Sequence, residues 1–210
     1  MSINEYIHQF IDHNHPQLKQ ISTQEEAYTG KLNPNVGMQV GRMLSLLVKL
    51  TFAQRVLEFG SSMGYSTVFL AAALAETGGQ LISVEFEPRL AEITRQNLSS
   101  AGLQGVASVI TGDASAVVKT LKGPFDLILQ DSDKALYPQM REDCARLLRV
   151  GGILAADDTL FVPMGIPEKF SAPVHEYNLQ IFADPRFYST ILPIGDGLTV
   201  SVKIKEGEKG

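Results

Sequence analysis

Val56-Leu57-Glu58-Phe59-Gly60-Ser61-Ser62-Met63-Gly64-Tyr65-Ser66-Thr67 takes an apolar run into a glycine turn, and Thr67 to Leu74 then reads Thr-Val-Phe-Leu-Ala-Ala-Ala-Leu. That order predicts a strand, a tight turn and a helix with a buried face. Gly60 and Gly64 let the backbone come close to a ligand, while Ser62, Ser66 and the first helical N–H groups offer donors to a nucleotide-like molecule. The spacing lacks the middle glycine of the dinucleotide fingerprint and also matches plain packing turns, so the turn alone leaves both readings open.

Downstream, strands and helices alternate. Gly79 to Glu85 reads as a second strand, and Glu85 falls near its C-terminal end, where an acid can hold two ribose hydroxyls or simply be surface charge. Pro88 opens a helix to Leu98, with Leu90, Ile93 and Leu98 on one face. Val106 to Ile110 is a third strand, followed by Gly112-Asp113-Ala114, which suits an adenine ring or, equally, a helix cap at Asp113. Phe125 to Gln130 is a fourth strand ending in Asp131-Ser132-Asp133-Lys134; a helix from Tyr137 to Leu148 precedes Gly151-Gly152 and a fifth strand, Ile153 to Ala156, that ends in Asp157 and Asp158. Such alternation implies a mainly parallel sheet with its crevice at the C-terminal strand ends, where all these acids fall. Residues 161 to 173 read as an irregular loop beside the crevice and 174 to 183 as a helix. Phe187 to Pro193 and Leu198 to Ile204 then flank Ile194-Gly195-Asp196-Gly197 as an antiparallel hairpin at the sheet's edge.

Upstream, residues 1–31 carry Tyr6, Ile7, Phe10, Ile11 and Leu18 among polar residues, which predicts one or two short helices. His8, His13 and His15 lack further ligands and read as exposed rather than as a metal cluster. Met43, Leu46, Leu47 and Leu50 recur at helical spacing after Val36, and Gly37 and Gly41 fit a close approach by a neighbouring helix or a ligand. The 210 residues, 44 % apolar, fit a single domain with a sizeable core. A net charge of -5 disfavours nonspecific nucleic-acid binding, and Cys144, the one cysteine, reads as a packing residue. No signal-like start or membrane-length apolar run is evident, which makes a cytoplasmic protein the expectation.

Taken in order, Asn35-Val36-Gly37, Val56 to Gly60 with Gly64 to Thr67, Glu85, Gly112-Asp113-Ala114, Asp131 to Lys134 with Tyr137, Gly151-Gly152 with Asp157-Asp158, and Pro193 to Leu198 resemble the cation-dependent class I O-methyltransferases, the family of the catechol and caffeoyl-coenzyme A enzymes. The resemblance implies a Rossmann-like α/β fold: a seven-stranded, mostly parallel sheet with an antiparallel C-terminal strand, helices on both faces, and residues 1–50 forming helical elements over the cofactor and acceptor site. It implies S-adenosylmethionine as cofactor, with Val36 near the methionine portion, Glu58, Gly60, Ser62, Tyr65 and Ser66 around it, Glu85 at the ribose, Asp113 and Ala114 at the adenine edge, and Asp131 near the reactive end. Asp131, Asp157 and Asp158 align with the ligands of a divalent cation, Mg2+ with Mn2+ or Ca2+ as alternatives, since hard oxygens suit hard cations. Lys134 aligns with the residue that assists deprotonation of the acceptor hydroxyl or holds the resulting oxyanion, with Asp131 beside it in catalysis.

Two departures stand out. Asp157-Asp158 replaces the commoner Asp-Asn, and Ser61-Ser62-Met63 replaces the commoner Thr-Gly-Thr, which requires a turn that accepts side chains. The expected activity is methyl transfer to a catechol-like or other vicinal dihydroxy small molecule by a cytoplasmic homodimer that engages no membrane. Methylation of a hydroxylated transfer-RNA base, a cofactor-binding protein without catalysis and a nicotinamide-dependent oxidoreductase are the alternatives.

Overall fold

Alternating burial along the strands decides the layering. Leu127 and Leu129 turn to one face of the sheet and Ile128 to the other, as do Ile153 and Ala155 against Leu154 and Ala156. The computed structural model describes residues 1–11, 15–29 and 35–207. The elements are α1 (Ile3–His8), α2 (Pro16–Thr29), α3 (Gly37–Leu50), β1 (Arg55–Phe59), α4 (Tyr65–Thr77), β2 (Gln80–Glu85), α5 (Pro88–Ser100), β3 (Ala107–Thr111), α6 (Ala114–Thr120), β4 (Phe125–Gln130), α7 (Leu136–Leu147), β5 (Leu148–Ala156), α8 (Glu168–Ala183), β6 (Phe187–Leu192) and β7 (Leu198–Lys203).

The seven strands order as β3-β2-β1-β4-β5-β7-β6. The first five are parallel, and β7 runs antiparallel to both β5 and β6. The antiparallel strand therefore lies inside the sheet, and β6 takes the edge. One apolar layer packs α2, α3, α4 and α5 on one face through Leu18, Ile21, Leu44, Leu70 and Leu98. The other packs α6, α7 and α8 through Val118, Tyr137, Met140, Val174, Tyr177 and Ile181. Chain order reverses around β1, which lies between β2 and β4, so a crevice opens at the carboxyl ends of those strands.

Three expectations need correction. α8 starts at Glu168, so the irregular stretch is shorter than 161–173, and Pro173 lies inside the helix. α2 has 14 residues rather than a short helix's few. His15 is half-buried rather than exposed, its Nε2 lying 3.1 Å from the Ala101 carbonyl oxygen, while His13 lies outside the described residues. Cys144 is buried in the core, as expected of a packing residue. Among the described residues no helix is long and apolar enough to cross a membrane.

Gly41 serves helix packing. A Cβ there would stand 2.4 Å from the Phe69 ring of α4, and Ser45, one turn on, donates to the Phe69 carbonyl oxygen at 3.1 Å. Glycine within a helix costs about 1 kcal/mol relative to alanine, and here it permits the close crossing of α3 and α4. Gly41→Ala is therefore expected to lower stability by about 1–3 kcal/mol in denaturant titration, with Phe69→Leu recovering part of that in the double variant. A stabilised Gly41→Ala would refute the crossing as the reason for the glycine.

Candidate functional site at the carboxyl ends of the strands

The turn after β1 is built on a buried carboxylate. Glu58 is fully buried and accepts hydrogen bonds from Ser66 Oγ at 2.6 Å, Thr67 Oγ1 at 2.7 Å and Ser83 Oγ at 2.6 Å. These bonds tie the first turn of α4 and the middle of β2 to β1. Burial pushes the Glu58 carboxyl up to about 7, against the pull of its three hydroxyl donors. Its oxygens are engaged behind the turn, and it is absent from the residues that line the crevice.

Gly60 follows with φ +92° and donates its N–H to Val84 O at 2.8 Å. A Cβ at Gly60 would lie 2.1 Å from the Asp131 carbonyl oxygen, so only glycine lets the ends of β1 and β4 meet here. Ser62, which replaces the commoner glycine, has φ +49°, and its neighbours hold it there. Its N–H reaches Glu85 Oε2 at 2.8 Å, and its carbonyl oxygen accepts from Thr94 Oγ1 at 2.8 Å. Met63 points into the core, its carbonyl oxygen accepting from Asn97 Nδ2 at 2.8 Å. The turn thus accepts the side chains of Ser62 and Met63.

A cleft of about 520 Å³ opens beside the turn, lined among others by Gly60, Ser62, Glu85, Asp113, Ala114 and Asp131. Ser132, Leu136 and Phe86 also line it, Phe86 being 74 % exposed. Asp113 both lines the cleft and caps α6, accepting from the Ser115 N–H at 2.8 Å; the Ser115 hydroxyl and N–H hold its carboxyl below the usual range. Val36, Tyr65 and Ser66 are buried and stand outside the lining. Burial, with Glu25 nearby, pushes the Tyr65 phenol up to about 12.

Beyond Asp131 lies a charged cluster. Lys134 Nζ is 2.9 Å from Asp131 Oδ1, 2.6 Å from Asp158 Oδ2 and 2.9 Å from the Tyr137 hydroxyl, which itself donates to the Asp157 carbonyl oxygen at 3.2 Å. Burial alone would lower the Lys134 pKa, but Asp131, Tyr137 and Asp158 raise it well above the ordinary value, so the ammonium stays charged. Burial lifts Asp131 to about 6, Lys134 opposing and Asp158 adding to the rise. Asp157 is raised well above the ordinary carboxylate range by burial and then by Asp131 and Asp158, and its Oδ1 has no hydrogen-bond partner among the described residues. Asp158 adopts φ +64°, a conformation open to aspartate as to asparagine.

Asp131 and Asp158 are brought together by Lys134, whereas among the described residues no group of three or more His, Cys, Asp or Glu side chains is arranged to hold a metal ion. The donors nonetheless suit a hard cation in kind: two carboxylates, Asp131 and Asp158, face one ammonium, and a buried oxygen of a third, Asp157 Oδ1, is unsatisfied. Sequence reasoning did not single out Asp196 or Glu25. The β6–β7 hairpin carries Asp196 toward the cluster; burial raises its carboxyl and Asp158 adds to the rise, while Lys134 opposes it. Asp196 was visible only as a turn residue. Glu25 lay among the unremarked polar residues of 1–31.

Residues 9–204 match the family described as O-methyltransferase. The chain is 30 % identical over 199 residues to the catechol O-methyltransferase of Niastella koreensis, covering 91 % of this chain and 89 % of that protein. It is 32 % identical over 205 residues to a caffeoyl-CoA O-methyltransferase of Populus kitakamiensis, covering 89 % and 86 %. The solved O-methyltransferase of Bacillus cereus in complex with SAH superposes with a TM-score of 0.83 at 26 % identity, covering 96 % of each chain.

Glu58 makes stability depend on pH. A carboxyl raised in the folded state from 4.5 to about 7 contributes stability that is fully present below the unfolded value and is lost as pH rises through the folded one. The loss is about 3 kcal/mol at most. Between about pH 5 and about pH 8 the melting temperature of Glu58→Gln is therefore expected to fall less than that of the unsubstituted protein. Equal falls in calorimetric scans would rule out Glu58 as the source.

Proposed function

The chain belongs to the S-adenosylmethionine-dependent O-methyltransferase family, and from that premise we propose that it methylates one hydroxyl of a catechol-like or other vicinal dihydroxy small molecule. The observation that carries this reading is the Lys134 ammonium, held by Asp131 and Asp158, with Asp131 also lining the cleft. Methyl donor and acceptor then meet at Asp131, with Glu85 facing the ribose and Asp113 and Ala114 the adenine. The names of the relatives support an aromatic diol as acceptor class.

S-adenosylmethionine, when bound, would supply the methyl group from its sulfonium: the acceptor hydroxyl would give up its proton to solvent, its oxygen would take the methyl carbon in line, and the C–S electron pair would stay on sulfur. Lys134 is already protonated in its cage of acids, so its part is to stabilise the acceptor oxyanion by charge rather than to remove the proton. Asp131 and Asp158 keep the ammonium on the acceptor side. Asp131, Asp157 and Asp158 would hold a divalent cation, Mg2+ in the first instance, and such a cation when bound lowers the pKa of a coordinated hydroxyl. Phe161, whose ring centre is 5.9 Å from Lys134 Nζ, offers an apolar surface for the acceptor's ring.

The test is calorimetric titration with S-adenosylmethionine, with and without Mg2+ and catechol, followed by mass analysis of the product. Cofactor binding, a metal-dependent one-methyl gain in catechol mass, and loss of turnover in Asp131→Asn are expected. Lys134→Met is expected to lower kcat about 100-fold or more while cofactor affinity stays within about threefold. No cofactor binding would sink the methyl-transfer reading; an undiminished kcat in Lys134→Met would sink the lysine's role alone.

A further inference from the structure

Glu25 is a buried carboxylate that the chemistry above leaves unused. It belongs to α2, 38 residues before Met63, and is 2 % exposed. Oε2 accepts from Asn35 Nδ2 at 2.9 Å, and Oε1 receives the Met63 N–H at 3.4 Å. Asn35 works in both directions, since its Oδ1 accepts the Gly37 N–H at 3.1 Å in the first turn of α3. The neighbouring Gln24 accepts from Asn97 Nδ2 at 3.0 Å, and that amide also reaches the Met63 carbonyl oxygen. Both backbone groups of Met63 are therefore tied to side chains that in turn engage α2.

The turn needs such support. Ser62 stands in a left-handed conformation that a non-glycine residue holds only when its surroundings over-determine it. Glu85 and Thr94 grip Ser62 from β2 and α5, and Glu25 grips the next peptide from α2. The partners of Glu25 among the described residues are neutral, the Asn35 amide, the Met63 N–H and the Ser62 hydroxyl, and burial raises its carboxyl against them. A carboxylate without a cation is a costly way to pack a helix, because leucine would fill a similar volume without the desolvation. What the carboxylate adds is two acceptor oxygens, one for the Met63 N–H in the turn and one for Asn35, which also holds the start of α3.

We infer that Glu25 is a positioning residue for cofactor binding: through Met63 and Asn35 it fixes the Ser61–Met63 turn against the start of α3, so that α2 sets the shape of the cofactor cleft. This rests on the cofactor reading given above. Glu25 acts through the turn, and its removal is expected to weaken the cofactor without altering the acceptor's side of the site.

The experiment titrates S-adenosylmethionine and S-adenosylhomocysteine into the unsubstituted protein, Glu25→Ala and Glu25→Gln, and then measures initial rates with S-adenosylmethionine and catechol varied in turn. Glu25→Ala is expected to raise the Kd of both ligands, and the KM for S-adenosylmethionine, about tenfold or more, with the loss falling on cofactor affinity rather than on kcat or the catechol KM. Glu25→Gln, whose amide oxygen can still accept the Met63 N–H, is expected to recover most of the affinity. Cofactor affinity undiminished in Glu25→Ala, or a fall confined to kcat, overturns the inference. If Glu25→Ala does not fold, Asn35→Ala removes the bridge from its other end and is expected to show the same loss; full affinity there overturns the inference too. An unsubstituted protein that binds neither ligand sinks the cofactor reading, whereas binding that survives in the variants sinks only the role of Glu25.

Discussion

The carboxyl ends of β1 and β4 meet where no side chain can stand. Gly60 brings its α-carbon so close to the Asp131 carbonyl that a methyl group would lie 2.1 Å from the oxygen, and two hydrogen bonds seal the junction, Gly60 N to Val84 O and Asp131 N to Phe59 O. β1 is thereby knitted between β2 and β4 at the point where strand order reverses. Glu85 at the end of β2 and Asp131 at the end of β4 reach one cleft because Gly60 leaves the space between them open. Glu58, two residues before Gly60 and on the other face from Leu57 and Phe59, gathers three hydroxyls from α4 and β2 and fixes the direction in which the chain leaves β1.

Charge is distributed unevenly along the sheet. At the amino end of β4, Asp126 is matched: it accepts from the Gln54 and Arg55 N–H groups, both at 2.8 Å, and from Arg149 Nε at 2.6 Å, and these partners overcome its burial and hold its carboxyl below the usual range. At the carboxyl end the balance is reversed. Asp131 is raised by burial and by the charges of Asp158 and Glu85, Asp157 by burial and by those of Asp131 and Asp158, and Lys134 is the ammonium that opposes both and pairs with Asp158. A carboxylate paired to capacity supports the fold; carboxylates left in excess are suited to receive something positive.

Much of this was legible. The Phe125–Gln130 strand matches its expected limits residue for residue, and the strand-turn-helix around Gly60 follows from apolar run, glycine and apolar helix in succession. Local chemistry suffices for such elements because the pattern and the element have the same length. α8 was shortened in the reading because Pro173 and the prolines before it look like a loop, yet packing of Val174, Tyr177 and Ile181 against the sheet carries the helix through Pro173. Glu25-Glu26 on a weakly apolar helix looks solvated, and nothing within α2 tells which of the two faces a turn 38 residues away.

The sequence by itself determined the order of strands and helices, the glycine turn and the row of acids at the strand ends, since periodicity, glycine and the placement of charge after apolar runs are local properties of the chain. Only the tertiary structure decided that β7 lies inside the sheet, that Lys134 joins Asp131 to Asp158 from a separate strand, and that Glu25 and Asn35 brace the turn that Ser62 strains. These depend on contacts between segments distant in sequence. Burial then sets the charge state of the groups involved, and no single segment carries that information.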